Sequence, residues 1–134
     1  MRFVEGGLSI SFEVPPLTAH LPDPQDVRII QNDDRWVTHL AFFDEGTPSV
    51  VTARVYDHDN QLAGTESFDV AGDGELTFVE LATRVSVGRI ELTEGSGVGF
   101  PGSVAAYSQQ IYGFAVVTDR RAGTPRVIPF ASID

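Results

Sequence analysis

The stretch Ser49 to Val70, SVVTARVYDHDNQLAGTESFDV, decides the fold class. In its first half Val51, Ala53 and Val55 fall on one side of an extended chain, and Val50, Thr52, Arg54 and Tyr56 on the other. Phe68 and Val70 give the return run its own apolar side, and the polar tetrad Asp57-His58-Asp59-Asn60 between the runs supplies a turn. The stretch therefore predicts a β-hairpin with one buried face.

The same alternation extends outward in both directions. Upstream, Leu8, Ile10, Phe12 and Val14 alternate with polar residues and predict a strand that ends at Pro15-Pro16. Prolines 15, 16, 22 and 24 make the segment up to Asp26 a surface loop. Val27 to Gln31 reads as a short strand and Asn32-Asp33-Asp34 as a turn. Arg35 to Phe43 reads as a longer strand with Trp36, Thr38, Leu40 and Phe42 on one face, and Asp44 to Pro48 as the turn into the hairpin. Downstream, Asp73-Gly74 suits the positive φ angles of a tight reversal before a strand at Glu75 to Leu81. Val85 to Thr93 follows, with Ile90 and Leu92 inward and Arg89, Glu91 and Thr93 outward. Glu94 to Gln110, with glycines at 95, 97, 99 and 102, is expected to be a long mobile loop, containing at most a turn or two of helix over 102–110. Ile111 to Thr118, apolar on both faces, is expected to be a central strand. Arg126 to Phe130, with Pro129, is expected to lie at a sheet edge. No stretch has convincing helical periodicity. The fold expected is all-β: a single antiparallel β-sandwich over residues 1–134, jelly-roll-like, with about eight to ten short strands.

Composition narrows the function classes. The 134 residues suffice for one domain that needs no disulfide staple. Nine Lys and Arg against 19 Asp and Glu leave a net charge of −10, which repels phosphate backbones and anionic lipid, so no nucleic-acid or membrane partner is expected. No apolar run reaches the length of a membrane span, and Met1 to Gly7 lacks the apolar core of a signal peptide; the chain is expected to be cytosolic or a trimmed exported domain. The absence of cysteine excludes thiol catalysis and thiolate metal sites.

The order of Val51 to Asp57, Gln61-Leu62-Ala63-Gly64, Gly88-Arg89-Ile90-Glu91-Leu92, a glycine-rich loop and Tyr112-Gly113-Phe114-Ala115-Val116 resembles the jelly-roll-like β-sandwich domains of exported bacterial proteins, related in plan to galactose-binding-type modules. The resemblance spans residues 40–118 and implies a non-catalytic binding role. In that family the last strand often carries an acidic pair; here Phe114-Ala115 stands in the comparable place.

Several constellations carry candidate chemistry. Asp57, Asp59 and Asn60 place oxygen ligands in one turn, as a calcium ion requires, although the turn lacks the glycine and distant glutamate of an EF-hand loop and Asp and Asn are also ordinary turn residues. His20, His39 and His58 form no short-spaced ligand pair and read as surface histidines. No Gly-x-Ser-x-Gly elbow or P-loop occurs. Asp44-Glu45, Glu91 and Glu94 could serve glycosidic chemistry only if two carboxyls converged to about 5 to 10 Å; solvated charge is the simpler reading.

If Arg35 to Phe43 and Ser49 to Asp57 are neighbours in one sheet, then Arg54, Tyr56, His39 and Arg35 share an outer face, joined by Arg89 and Glu91 from a third strand. A planar ring among forked donors suits a sugar, whose apolar side stacks while its hydroxyls are hydrogen-bonded. A surface of mutually satisfied cross-strand pairs would look the same in sequence. The ligand-binding candidates are Arg54, Tyr56, His39 and Arg89, together with Tyr107 in the long loop. The function expected is a non-catalytic binding or interaction domain for a carbohydrate or protein partner. The alternatives are a self-assembling structural subunit and, behind it, a small hydrolase or isomerase on a β scaffold.

Overall fold

The computed structural model describes residues 1–17, 19–21, 23–94 and 111–133. Glu94 is the last described residue before the glycine-rich connection, so most of that predicted loop, with Tyr107, lies outside the described residues. Eleven strands follow one another: β1 (Arg2–Glu5), β2 (Leu8–Ser11), β3 (Gln25–Asn32), β4 (Trp36–Asp44), β5 (Ser49–Asp57), β6 (Leu62–Val70), β7 (Leu76–Glu80), β8 (Val85–Glu94), β9 (Ile111–Asp119), β10 (Pro125–Pro129) and β11 (Ala131–Ser132). Among the described residues there is no helix, and so none long and apolar enough to cross a membrane.

The strands form an antiparallel, jelly-roll-like β-sandwich. One sheet has the order β11-β3-β8-β5-β6, the other β10-β9-β4-β7. The chain changes sheet at β3 to β4, β4 to β5, β6 to β7, β7 to β8, β8 to β9 and β10 to β11, whereas β5–β6 and β9–β10 are hairpins within a sheet. Val51, Ala53, Val55 and Val70 on one side meet Leu40, Phe42, Ala115 and Val117 on the other in a core also filled by Val27, Ile30, Ile90 and Leu92. The alternation in the Ser49 to Val70 stretch, and the inward setting of Ile90 and Leu92, are thus the pattern of the inter-sheet core.

β4 and β9 are buried on both faces because a third layer covers the four-stranded sheet. This layer is the hairpin β1–β2, whose Phe3, with Phe12 just beyond β2, packs onto Ala41, Phe114, Val116 and Phe78. Phe12 meets the Phe114 ring edge-on at 5.6 Å and Phe3 lies 5.1 Å from Phe78. The N-terminal region therefore differs from the single strand Leu8 to Val14 expected from alternation. The ladder covers Leu8–Ser11 and is paired with a strand the alternation did not reveal, turned at Gly6-Gly7, both at positive φ (56° and 83°). Two consecutive left-handed positions suit a two-residue hairpin turn that glycine adopts without strain.

One buried polar side chain fastens the layers. Asn32, 5% exposed, donates through Nδ2 to the carbonyls of Leu81 (2.9 Å) and Thr83 (2.8 Å), while its Oδ1 accepts from the Thr38 amide at 3.0 Å. Three backbone groups at a sheet crossing are thereby paired by one side chain, which is how a buried corner avoids unsatisfied amides.

Candidate functional site

The outer face of the five-stranded sheet brings together most of the predicted residues. β8 lies between β3 and β5, with Tyr56 opposite Arg89, Arg54 opposite Glu91, Arg28 opposite Arg89 and Asp26 opposite Glu91. Two rows therefore cross the sheet, Arg28-Arg89-Tyr56 and Asp26-Glu91-Arg54. Directly opposed like charges are unfavourable, and the sheet answers this with an acid on the same strand beside each opposed arginine. Arg28 Nε donates to Asp26, and Arg89 Nη1 donates to Glu91 Oε1 at 2.8 Å. Arg89 is held further by the Tyr56 ring, 4.3 Å below its guanidinium carbon, and by Asn60 Oδ1, which accepts from Nη2 at 2.6 Å. The Tyr56 face beneath Arg89 is thus covered, and the tyrosine acts as a seat for the arginine.

The tip of the β5–β6 hairpin is built by its own backbone. The Asp57 carbonyl accepts from the Asn60 amide at 3.0 Å, and Asp57 Oδ1 accepts from the amides of Asp59 (2.9 Å) and Gln61 (3.0 Å). Asn60 sits at φ 61°, the left-handed position that closes a three-residue hairpin loop and that Asn tolerates. Two of the oxygens considered for calcium, Asp57 Oδ1 and Asn60 Oδ1, are accordingly engaged by amides and by Arg89. The arrangement is that of the local turn, with a cation already beside it.

Between this tip and β3 lies an open depression of about 210 Å³ lined by Arg28, Ile29, Asp57, His58, Asn60, Val87, Gly88 and Arg89. Its apolar part comes from Ile29, 63% exposed, and Val87, 43% exposed. Ile29 has φ 62° and sits at a bulge where the β3–β8 register shifts between Arg28 and Ile30. A β-branched residue in the left-handed region is a steric outlier. The bulge lifts Ile29 out of the ladder while Val27 and Ile30 stay in the core. Glycine at 88 is required by packing, because a Cβ there would collide with the carbonyl oxygen of Tyr56.

His39 is not part of this face. The predicted adjacency of Arg35 to Phe43 and Ser49 to Asp57 does not hold: β4 and β5 belong to opposite sheets, and β4 is flanked by β9 and β7. The turn from Asp44 to Ser49 carries the chain from one sheet to the other instead of closing a hairpin. Arg35, just before β4, is likewise elsewhere, donating through Nη2 to Asp119 Oδ2 at 3.0 Å. His39 instead lies under the N-terminal hairpin, stacked on Phe78 at 4.8 Å and edge-on to Phe3 at 4.9 Å. Burial pulls its pKa below the usual imidazole value, against the opposing pull of Glu5 and Glu80. The other two histidines are apart from it, His20 beside Tyr112 and His58 on the β5–β6 tip.

Of the acids, Asp44 is buried and accepts from the Gly46 amide and the Ser49 hydroxyl, while Glu45 is exposed. Burial raises the Glu94 carboxyl, with the charge of Asp44 adding to the effect, and Glu91 belongs to the Arg89 network on the outer face. Residues Arg28, Ile29 and Val87 were not singled out by sequence. The alternation of β3 points to Val27 and Ile30 only if a bulge is already known, and nothing in the letters Val-Arg-Ile-Ile announces one. Compared with known protein families, curated proteins and solved structures, the chain matches none of them.

Proposed function

We propose that the protein is a non-catalytic binding domain that takes a hydroxyl-rich small ligand, a carbohydrate, in the depression between β3, the end of β8 and the β5–β6 tip. The observation that carries this reading is Ile29. Holding a β-branched residue in a left-handed conformation costs on the order of 1–3 kcal/mol, and here that cost sets an apolar side chain, 63% exposed, at the rim of the depression. Strain of this kind persists where the surrounding structure enforces it, and it clusters at ligand sites.

The chemistry around it suits a sugar. Ile29 and Val87 offer an apolar strip for the C–H side of a pyranose ring, and Arg28, His58, Asn60 and Arg89 surround it with hydrogen-bonding groups. Arg89 is pre-organised by Tyr56, Asn60 and Glu91, so little side-chain freedom is lost when it meets a ligand. Arg54 and Tyr56 extend the same face along β5. This reading agrees with the resemblance to galactose-binding-type modules and moves the contact surface from the Tyr56 ring to the neighbouring depression.

A glycan array probed with the wild-type protein, Arg28→Ala and Arg89→Ala tests it. Wild type is expected to bind a defined subset of oligosaccharides and both variants to lose that signal. No binding by wild type, or binding unchanged in both variants, contradicts the proposal.

A further inference from the structure

On the opposite side of the molecule, the outer face of the four-stranded sheet gathers Glu5, His39 and Glu80, one ligand-type atom of each lying within 4.8 Å of the others. The three come from separate elements. Glu5 ends β1 just before the Gly6-Gly7 turn, His39 stands in the middle of β4, and Glu80 is its cross-strand partner at the end of β7. We propose that these residues form a site for a divalent transition-metal ion of the zinc type, which fastens the N-terminal hairpin to the sandwich.

The first ground is the state of the imidazole. The His39 side chain is 8% exposed and its Nδ1 is buried without a hydrogen-bond partner. Its Nε2 faces Glu5 Oε2 at 3.8 Å and Glu80 Oε1 at 3.7 Å. Both separations are too long for hydrogen bonds. The buried unpaired atom is Nδ1, whereas Nε2 is the nitrogen turned to both carboxylates, at distances that leave room between them for a small cation.

The second ground is geometry. Zinc bonds to nitrogen and oxygen at about 2.0–2.2 Å, which places tetrahedral ligand atoms about 3.3–3.6 Å apart. The nitrogen-to-oxygen separations exceed that by a few tenths of an ångström. The rest of the contraction falls on Glu80, which is 54% exposed and free to rotate. The ring itself is clamped between Phe78 and Phe3, so the nitrogen is aimed before any ion arrives.

The third ground is charge and ligand type. Two carboxylates and a neutral imidazole balance a doubly charged cation. Arg120 Nη1, 3.9 Å from Glu5 Oε1, stands behind the oxygen that Glu5 turns away from His39. One imidazole with carboxylates selects zinc or its first-row neighbours over calcium, which prefers oxygen alone. Three protein ligands leave a coordination position for water. The site stands independently of the carbohydrate reading, since it lies on the other sheet and shares no residue with the depression.

Chelator-stripped full-length protein titrated with zinc chloride tests the site, with uptake followed by calorimetry and by the nitrogen-15 resonances of the histidine rings. The wild type is expected to take up one zinc ion per chain, to shift the His39 Nε2 resonance and to melt at a higher temperature when loaded. Glu80→Gln and His39→Phe, the latter retaining an aromatic ring between Phe3 and Phe78, are each expected to weaken uptake by about tenfold or more. His58→Ala is expected to leave it unchanged. If His39→Phe does not fold, the surface variant Glu80→Gln decides. No uptake by wild type, uptake unaffected by Glu80→Gln, or uptake abolished by His58→Ala overturns the proposal; the first of these would assign the gap to water.

Discussion

The guanidinium carbon of Arg89 lies 4.3 Å above the ring centroid of Tyr56, its partner across the β5–β8 ladder. This pairing explains why an exposed sheet face carries an ordered arginine, because the ring supports the fork from below while Asn60 and Glu91 hold its nitrogens. A double-mutant cycle of Tyr56→Leu and Arg89→Ala in urea denaturation is expected to give a coupling energy of about 0.5–1 kcal/mol. Arg89→Lys is expected to recover little of it, since an ammonium lacks the planar fork that reaches Asn60 and Glu91 together.

Asn32 is expected to be among the least replaceable polar residues. Asn32→Ala would strand the Leu81 and Thr83 carbonyls and the Thr38 amide at a buried sheet crossing. A destabilisation of about 2–4 kcal/mol follows from leaving such groups unpaired. Asn32→Asp is expected to be no better, because a carboxylate keeps the acceptor but loses both donors. Equilibrium unfolding of the two variants checks this.

Gly113 is fixed by its neighbours. A Cβ at this position would collide with the Ala41 carbonyl oxygen and with the Phe130 ring, which closes the inter-sheet core at that end. Gly113→Ala is expected to lower stability by about 1–3 kcal/mol, as overpacking does. Gly74→Ala, with open space around it but φ +78°, is expected to cost less and through backbone strain alone. Thermal melts of both variants separate the two causes.

Asp119 supplies a pH-dependent share of stability. The hydrogen bond from Arg35, and then that from the Arg121 amide, hold its carboxyl below the usual aspartate value. A depressed folded-state pKa means that the contribution is complete above the unfolded value, about 3.9, and is lost as pH falls through the folded value. The melting temperature of wild type is therefore expected to exceed that of Asp119→Asn at pH 7 and to converge on it as the pH drops below 4. A constant difference across that range would contradict this.

The two faces of β4, β5 and β8 and the pairing of β5 with β6 were legible in the sequence, but the neighbours of β4 were not. Val51, Ala53 and Val55, like Trp36, Thr38, Leu40 and Phe42, point where alternation puts them, because burial between two sheets selects one apolar side per strand. The pairing of β4 is another matter. Alternation is equally satisfied by either sheet, so nothing in it separates His39 from Arg54, which the fold places on opposite sheets. A cue was present: Val37, Ala41 and Phe43 make the His39 side of β4 apolar as well, as expected of a strand covered on both faces. The cover, β1–β2, is short and its first strand too brief for a period to register. The depression was illegible for a different reason. It depends on a bulge at Ile29, and a one-residue shift of register leaves no mark in residue type.

The most direct test of the binding proposal uses Ile29 itself, whose strained backbone opposes stability while its side chain would serve recognition. Ile29→Gly removes the left-handed strain and little buried surface, so the variant is expected to be more stable by about 1 kcal/mol. Nitrogen-15 spectra of wild type and Ile29→Gly, recorded during titration with a panel of oligosaccharides, should show shifts confined to Arg28–Ile30, Asp57–Asn60 and Val87–Arg89 in wild type and their loss in the more stable variant. Wild-type spectra unmoved by every oligosaccharide, or shifts that persist unchanged in Ile29→Gly, would contradict the account.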